Sequence, residues 1–194
     1  MHYSSILPEV LKIADAASEK VMSIYMTDFK VDYKADESPI TAADIASHNV
    51  IVEGLSNLSQ DIPVLSEEGA GIPWSERKHW QRFWLIDPID GTKDFTQRTG
   101  EFTVNIALIE NGEPILGVVT APALKEAYWG LKGEGAFKRD NTGHVQRISV
   151  AEPGAAHAVL SAAGGKVETL EGKPLQYGKE DVLNPHFIAS GDWY

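Results

Sequence analysis

The chain has 194 residues, 43% of them hydrophobic and 23% charged, an ordinary globular composition with enough length for one good core. A net charge of −11 argues against a nucleic-acid polymer or an anionic membrane as the main partner, and the lack of cysteine excludes disulfides, thiolate metal sites and a cysteine nucleophile. No basic stretch with a signal-like apolar run opens the chain and no segment is long enough to span a bilayer, so the cytoplasm is the expected compartment.

Ile6, Val10, Ile13, Ala14, Ala17, Val21 and Ile24 recur at steps of three and four. This predicts an amphipathic helix with Ser4 or Ser5 as cap and Pro8 in its first turn, and the stripe reads as packing. Residues 27–40 are polar and irregular, and Lys34 among them either faces phosphate or is simply solvated. A second helix is expected from Thr41, with Ile45, Val52 and Leu55 on its inner face. Thr41 with Asp44 three positions on resembles a capping box, which gives Asp44 a structural explanation. Residues 62–65 read as a short strand ending in Ser66-Glu67-Glu68-Gly69, where adjacent acids are commonly surface decoration. Residues 69–81, rich in Gly, Pro and charge, form a loop long enough to move over a site, unless Trp74 and Trp80 pin it.

The most informative stretch runs from Arg82 to Phe95. Phe83-Trp84-Leu85-Ile86 reads as a buried strand, which Asp87-Pro88-Ile89-Asp90-Gly91-Thr92 stops in a tight loop. Pro88 has no backbone donor and a fixed φ, so the chain leaves the sheet there. Gly91 permits close approach of another group to the backbone. A short helix from Thr92 would leave the amides of Gly91, Thr92 and Lys93 at its start, where the helix dipole favours phosphate; Lys93 would add positive charge beside them. Asp87 and Asp90 repel each other if bare, and a hard cation with oxygen ligands, Mg²⁺ above all, relieves that repulsion. Metal beside a phosphate-binding helix start is the layout of metal-assisted phosphate ester hydrolysis. Turn capping, the ordinary role of such acids, explains a lone Asp-Pro better than it explains this whole string.

Farther on, residues 102–109 alternate and then run apolar, and Glu110-Asn111-Gly112-Glu113 marks a hairpin turn. Residues 115–120, 125–131 and 145–150 complete an antiparallel meander punctuated by Gly130, Gly133 and Gly135. It is expected on the far side of the metal loop, as scaffold. The six histidines lack ligand spacing, and Asp94, Arg98 and Glu101 read as structural. A further helix is expected from His157, then a terminal piece through Pro174 and Asn184-Pro185.

Trp84-Leu85-Ile86-Asp87-Pro88-Ile89-Asp90-Gly91-Thr92 resembles the first signature of the lithium-sensitive, Mg²⁺-dependent phosphatase superfamily that includes the inositol monophosphatases. Leu65-Ser66-Glu67-Glu68, Gly91-Thr92-Lys93-Asp94-Phe95 and the run from Gly100 to Leu108 are similar to its bacterial 3'(2'),5'-bisphosphate nucleotidase branch. The resemblance implies an α+β fold, a layered αβαβα sandwich forming one domain over residues 1–194. Residues 1–150 would be its metal-binding half and residues 151–194 a remnant of the C-terminal half. It implies removal of the 3'-phosphate from adenosine 3',5'-bisphosphate, with two or three Mg²⁺ ions, lithium sensitivity, and a cytoplasmic location that allows peripheral attachment to the inner membrane. Asp87 would bridge two metals, Glu67 and the Ile89 carbonyl would hold the first, and Asp90 the second. Glu67, Thr92 and Asp44 would be the catalytic groups, with Glu68 supporting them. Substrate would meet Glu67, Asp90, Gly91, Thr92 and Lys93. The alternatives are the same chemistry on inositol phosphate, and metal and phosphate binding without turnover.

One part of the expected pattern is absent. Family members carry a Gly-Ser-Ser loop and a Trp-Asp-x-Ala-Ala motif whose Asp binds the second metal. Here Gly154 to Leu160 looks like the tail of that motif, and Glu152, at the corresponding offset, reads as the end of the preceding segment. The second half is therefore expected to be depleted near residues 151–156, leaving apolar surface and sheet edges uncovered and a cation under-coordinated. If the covalent chain has this form, poor folding and little activity are expected; if the molecule carries the intervening residues, an ordinary active enzyme is expected.

Overall fold

The apolar stripe of the first helix sets the order of the layers. The computed structural model describes residues 3–33, 39–69, 71–149, 157–180 and 187–190; Lys34, Glu152, the junction at 151–156 and Asn184-Pro185 lie outside them. Helix α1 (Tyr3–Tyr25) buries Ile6, Val10, Ala14, Ala17 and Val21 against strands of the main sheet and against α2 (Ala42–Leu58). The two helices meet closely because Gly54 leaves room for Ile13: a Cβ there would sit 2.7 Å from the Ile13 side chain. Between them, β1 (Val31–Tyr33) pairs antiparallel with β2 (Pro39–Thr41), in a stretch the sequence presents as irregular. Three residues a side are too few for a period to register.

The capping box at the start of α2 forms as expected. The Thr41 amide and hydroxyl both donate to Asp44 Oδ2 at 2.7 Å, and Thr41 Oγ1 accepts from the Ala43 amide at 3.1 Å. This turns Asp44 fully inward and, one residue on, leaves Ile45 exposed, contrary to its expected place on the inner face. The buried face is instead Ala43, Asp44, Ser47, Ile51 and Leu55.

Seven strands form the main sheet: β3 (Val64–Ser66), β4 (Arg82–Asp90), β5 (Thr103–Glu110), β6 (Glu113–Ala121), β7 (Glu126–Leu131), β8 (Gly135–Arg139) and β9 (Val145–Ile148). They lie in chain order; β3 runs parallel to β4, and every later pair is antiparallel. The meander is thus continuous with the motif strand, and β5 lies directly against it rather than on the far side of the metal loop. The expected loop over the site also differs. Its helical turn α3 (Trp74–Arg77) and Trp80 pack at the Arg82 end of β4, where Arg77 donates to the carbonyls of Lys179 and Glu180 and the Trp80 ring packs tilted against Phe83.

On the second face of the sheet, helix α5 (His157–Ala162) is seated over Gly117 and Gly130, and β10 (Lys166–Thr169), paired with β11 (Phe187–Ser190), packs beyond it. A Cβ on Gly130 would lie 2.7 Å from the Ala162 side chain and 2.8 Å from the Val159 backbone. Gly130→Ala is therefore expected to destabilise the fold by about 1–3 kcal/mol, read as a lower urea midpoint at unchanged slope. Leu65, Leu85 and Ala107, on the same face but nearer the motif, remain half-buried. The layers run helix, sheet, helix, sheet, the order of an αβαβα sandwich with a thinned second half. No helix of the described residues is long and apolar enough to cross a membrane.

Candidate active site

The site begins with a defect in pairing. Asp87 is opposite Asn105 and Asp90 is opposite Thr103, so β4 carries one residue more than its partner in that interval, a β-bulge at Pro88 and Ile89. Pro88 has no N–H to offer the ladder. The bulge is held from behind by α2, where the buried Ser47 hydroxyl donates to the Pro88 carbonyl at 2.9 Å. Ile89 points into the core and anchors the loop by its side chain.

Three carboxylates gather at this bulge. Glu67 follows β3, and its amide donates to the Ile86 carbonyl at 3.3 Å, which fixes it beside the end of β4. The turn that carries it is braced by His48 Nδ1, 2.8 Å from Ser66 Oγ, which in turn accepts from the Glu68 amide at 3.3 Å. Burial pushes the Asp87 carboxyl up to about 8, helped by the charges of Glu67 and Asp90 and by a hydrogen bond with Glu67; the Ile89 amide opposes the shift weakly. Asp87 therefore keeps its proton at neutral pH unless a cation takes its place. Asp90 is exposed and accepts from Asn105 Nδ2 at 3.3 Å, while Asn105 Oδ1 is buried without a partner among the described residues.

Thr92 closes the site on the helix side. Its hydroxyl lies 3.1 Å from the Ile89 carbonyl and 3.3 Å from Asp44 Oδ1, two acceptors for one proton. Gly91 precedes it at φ 89°, and a Cβ there would lie 2.9 Å from the Glu101 carbonyl, so the turn requires glycine. Helix α4 (Thr92–Gln97) then starts with no side-chain cap on its first amides. It is fixed in place by Phe95, buried among Tyr25, Phe29 and Phe102, and by Arg98, which donates to the Tyr25 and Thr27 carbonyls. Lys93 is exposed on its first turn.

The fold thus brings Glu67, Asp87 and Asp90 together, with the Ile89 carbonyl, Thr92 and Asp44 adjoining. Among the described residues no three Asp, Glu or His side chains stand as a closed metal cage; Glu67 and Asp87 share a hydrogen bond instead. The donor set still suits a hard divalent ion. It is all oxygen, anionic, and crowded enough to retain a proton in place of a cation. Ser47, His48 and Asn105, which brace this set, carry no sequence signal beyond being polar at positions where an apolar residue would serve. A cleft of about 410 Å³ beside α5, lined by Lys132, Arg147, His157 and Gln176 among others, lies apart from this chemistry, and its Glu113 is paired with Lys132.

A family model described as the inositol monophosphatase family matches residues 3–154. The chain belongs to the inositol monophosphatase family. Among relatives in that family, the 3'(2'),5'-bisphosphate nucleotidase CysQ of Salmonella typhimurium is 38% identical over 243 residues, covering 94% of this chain and 98% of that protein. The CysQ of Escherichia coli K12 is 37% identical over 246 residues, 95% of this chain and 99% of its own. The crystal structure of CysQ from Bacteroides thetaiotaomicron, a bacterial member of the inositol monophosphatase family, superposes with a TM-score of 0.84 at 30% identity, covering 98% of both chains. An inositol monophosphatase of Thermotoga maritima shares the fold at a TM-score of 0.76 and 22% identity, over 96% of this chain and 92% of its own. Because 94% of 194 residues is about 182, a match over 243 positions leaves about 60 positions of the Salmonella protein without a counterpart here. Inositol monophosphatase family members are metal-dependent phosphatases, and the oxygen-rich bulge of β4 is where this chain concentrates donors of that kind.

Proposed function

We propose that this chain is a Mg²⁺-dependent 3'(2'),5'-bisphosphate nucleotidase, removing the 3'-phosphate of adenosine 3',5'-bisphosphate to leave AMP and phosphate. Its similarity to bacterial nucleotidases of that name sets the substrate class. The observation that carries the chemistry is Asp87, a carboxyl that burial, with the charges of Glu67 and Asp90 beside it, brings to the point of holding a proton.

In this reading Glu67, Asp87 and the Ile89 carbonyl would hold one divalent cation, and Asp87 with Asp90 a second. Bound there, such ions neutralise phosphoryl oxygens and make water acidic enough to attack. With the Ile89 carbonyl committed to a cation, the Thr92 proton goes to Asp44, and a lone pair on Thr92 Oγ1 is left to accept from the attacking water. Asp44 is suited to this because its other oxygen is already fixed by two hydrogen bonds from Thr41. Glu67 and Thr92 orient the water in line with the leaving 3'-oxygen. The amides of Gly91 and Thr92 hold the phosphoryl oxygens as charge builds, with Lys93 contributing positive charge from the first turn of α4.

Phosphate release from adenosine 3',5'-bisphosphate and from inositol 1-phosphate, assayed in parallel with and without Mg²⁺, tests the assignment. The nucleotide is expected to be preferred by at least about tenfold in kcat/KM, with no release in the absence of the ion. Equal or better turnover of the inositol ester overturns it. The missing positions favour one second reading, Mg²⁺-dependent nucleotide binding without turnover. Calorimetric binding with no phosphate released is its expected result.

A further inference from the structure

We infer that Asn105 is a positioning residue for Asp90, and that its amide sets how tightly the chain holds a divalent cation. The inference rests on the reading of Asp90 as a metal ligand given above. Asn105 stands on β5 directly across from Asp87, in a row that continues through Val119 and Tyr128 on the next two strands. Its neighbours along β5, Val104 and Ile106, point into the core on the opposite face. The bulge that displaces Pro88 brings Asp90 round to the same side chain, and Asn105 Nδ2 donates to Asp90 Oδ2 at 3.3 Å.

An ionised carboxylate only accepts, so the amide nitrogen, not the amide oxygen, must face Asp90, and this fixes the flip of the side chain. The consequence is an acceptor with nothing to accept: Oδ1 is buried and unpaired among the described residues. A valine or leucine would fit a half-buried strand position without that cost, and with better strand propensity. What Asn105 gains in return is its hold on Asp90. The donor occupies one carboxylate oxygen, fixes the rotamer, and leaves Asp90 Oδ1 for a cation. An exposed aspartate without such a partner samples several rotamers, and ordering it would weaken each cation it binds. Partners that orient a metal-binding carboxylate in this way typically govern affinity by one to two orders of magnitude.

Mg²⁺ titrations by calorimetry, without substrate, on the full chain and on Asn105→Leu, Asn105→His and Asp90→Asn test this. Leucine shares the branching and heavy-atom count of asparagine, though it is bulkier, and has no donor; histidine places an Nδ1–H near the position of the amide nitrogen. Asn105→Leu is expected to bind Mg²⁺ about ten- to hundredfold more weakly with its melting temperature within a few degrees, and Asn105→His to recover most of that loss. A merely structural role would move the melting temperature and leave the affinity of the folded protein where it was. Asn105→Val, smaller and strand-favouring, is read in the same way should the leucine variant not fold. Unchanged affinity in folded Asn105→Leu, with affinity lost in Asp90→Asn, overturns the proposal and leaves the reading of Asp90 standing. Unchanged affinity in both overturns the two together. A histidine variant as weak as the leucine one removes the donor as the cause and also overturns it.

Discussion

Replacing Asp90 by Asn is expected to lower phosphate release by about a hundredfold or more and to leave the protein folded. The size follows from the role proposed for the side chain. A cation that loses an anionic oxygen is held more weakly, and what it contributes to the developing charge at the phosphoryl group goes with it. The intact fold follows from exposure: Asp90 is at the surface, and substitutions at such positions usually shift stability by no more than about 0.5 kcal/mol. Asn at this position still accepts from Asn105, so no new buried group is orphaned. Two readouts accompany the loss of turnover. Mg²⁺ affinity falls in calorimetry, and the Asp87 carboxyl titrates lower, because one of the charges that holds it up has been removed. Near-normal turnover in a folded variant would falsify the assignment.

Magnesium affinity is expected to rise by up to about tenfold per pH unit below pH 8 and to level off above it. Asp87 titrates near 3.8 in an unfolded chain and near 8 in the native one. In the metal-free protein the native state therefore binds the extra proton across that window. The stability this confers is fully present below about pH 4 and is lost as pH rises through about 8. A cation reverses the preference, since it stabilises the ionised carboxylate. Filling the site at pH 7 should release close to one proton per protein molecule, with the first ion that engages Asp87, and at pH 9 almost none. Calorimetry in two buffers of different ionisation enthalpy measures this directly, and a binding heat independent of buffer at pH 7 would rule it out.

Much of this site is legible in the sequence because its causes are local. Pro88 inside an apolar run marks the break in pairing, but the expectation that the chain leaves the sheet there is not met: the missing amide costs one rung, and β4 runs on around a bulge to pair Asp90 with Thr103. Thr41 and Asp44 announce their cap by spacing alone, and Gly91 the tight turn before α4. Other features depend on partners distant along the chain. Ser47 reads as an unremarked helical serine, because its acceptor lies 41 residues away on the bulge. Asn105 sits in an alternating strand where one polar residue is routine, and only the pairing of β5 with β4 places it between two acids. Strand β8 was hidden for a different reason. Gly133 and Gly135 both adopt positive φ and read as turn punctuation, yet Gly135 already opens a five-residue strand, its missing side chain making way for Arg147 on β9. The inner face of α2 keeps Leu55 as the sequence suggests, with Val52 partly buried beside it, but takes Asp44 rather than Ile45, because the cap with Thr41 turns that acid inward.

The chain-ordered sheet has a consequence for assembly. From β3 to β9 each strand finds its partner in the segment just before it, so the ladder can zip forward from short loop closures, the kind of topology that forms quickly. The acids at the bulge, together with Thr92, are in place once β3, β4 and β5 have joined α2, all within the first 110 residues. An internal loss downstream of β9 takes no rung from the middle of this ladder. Nascent chains still emerging from the ribosome would already possess the corner proposed to hold cations, before α5 arrives to dock on its paired glycines.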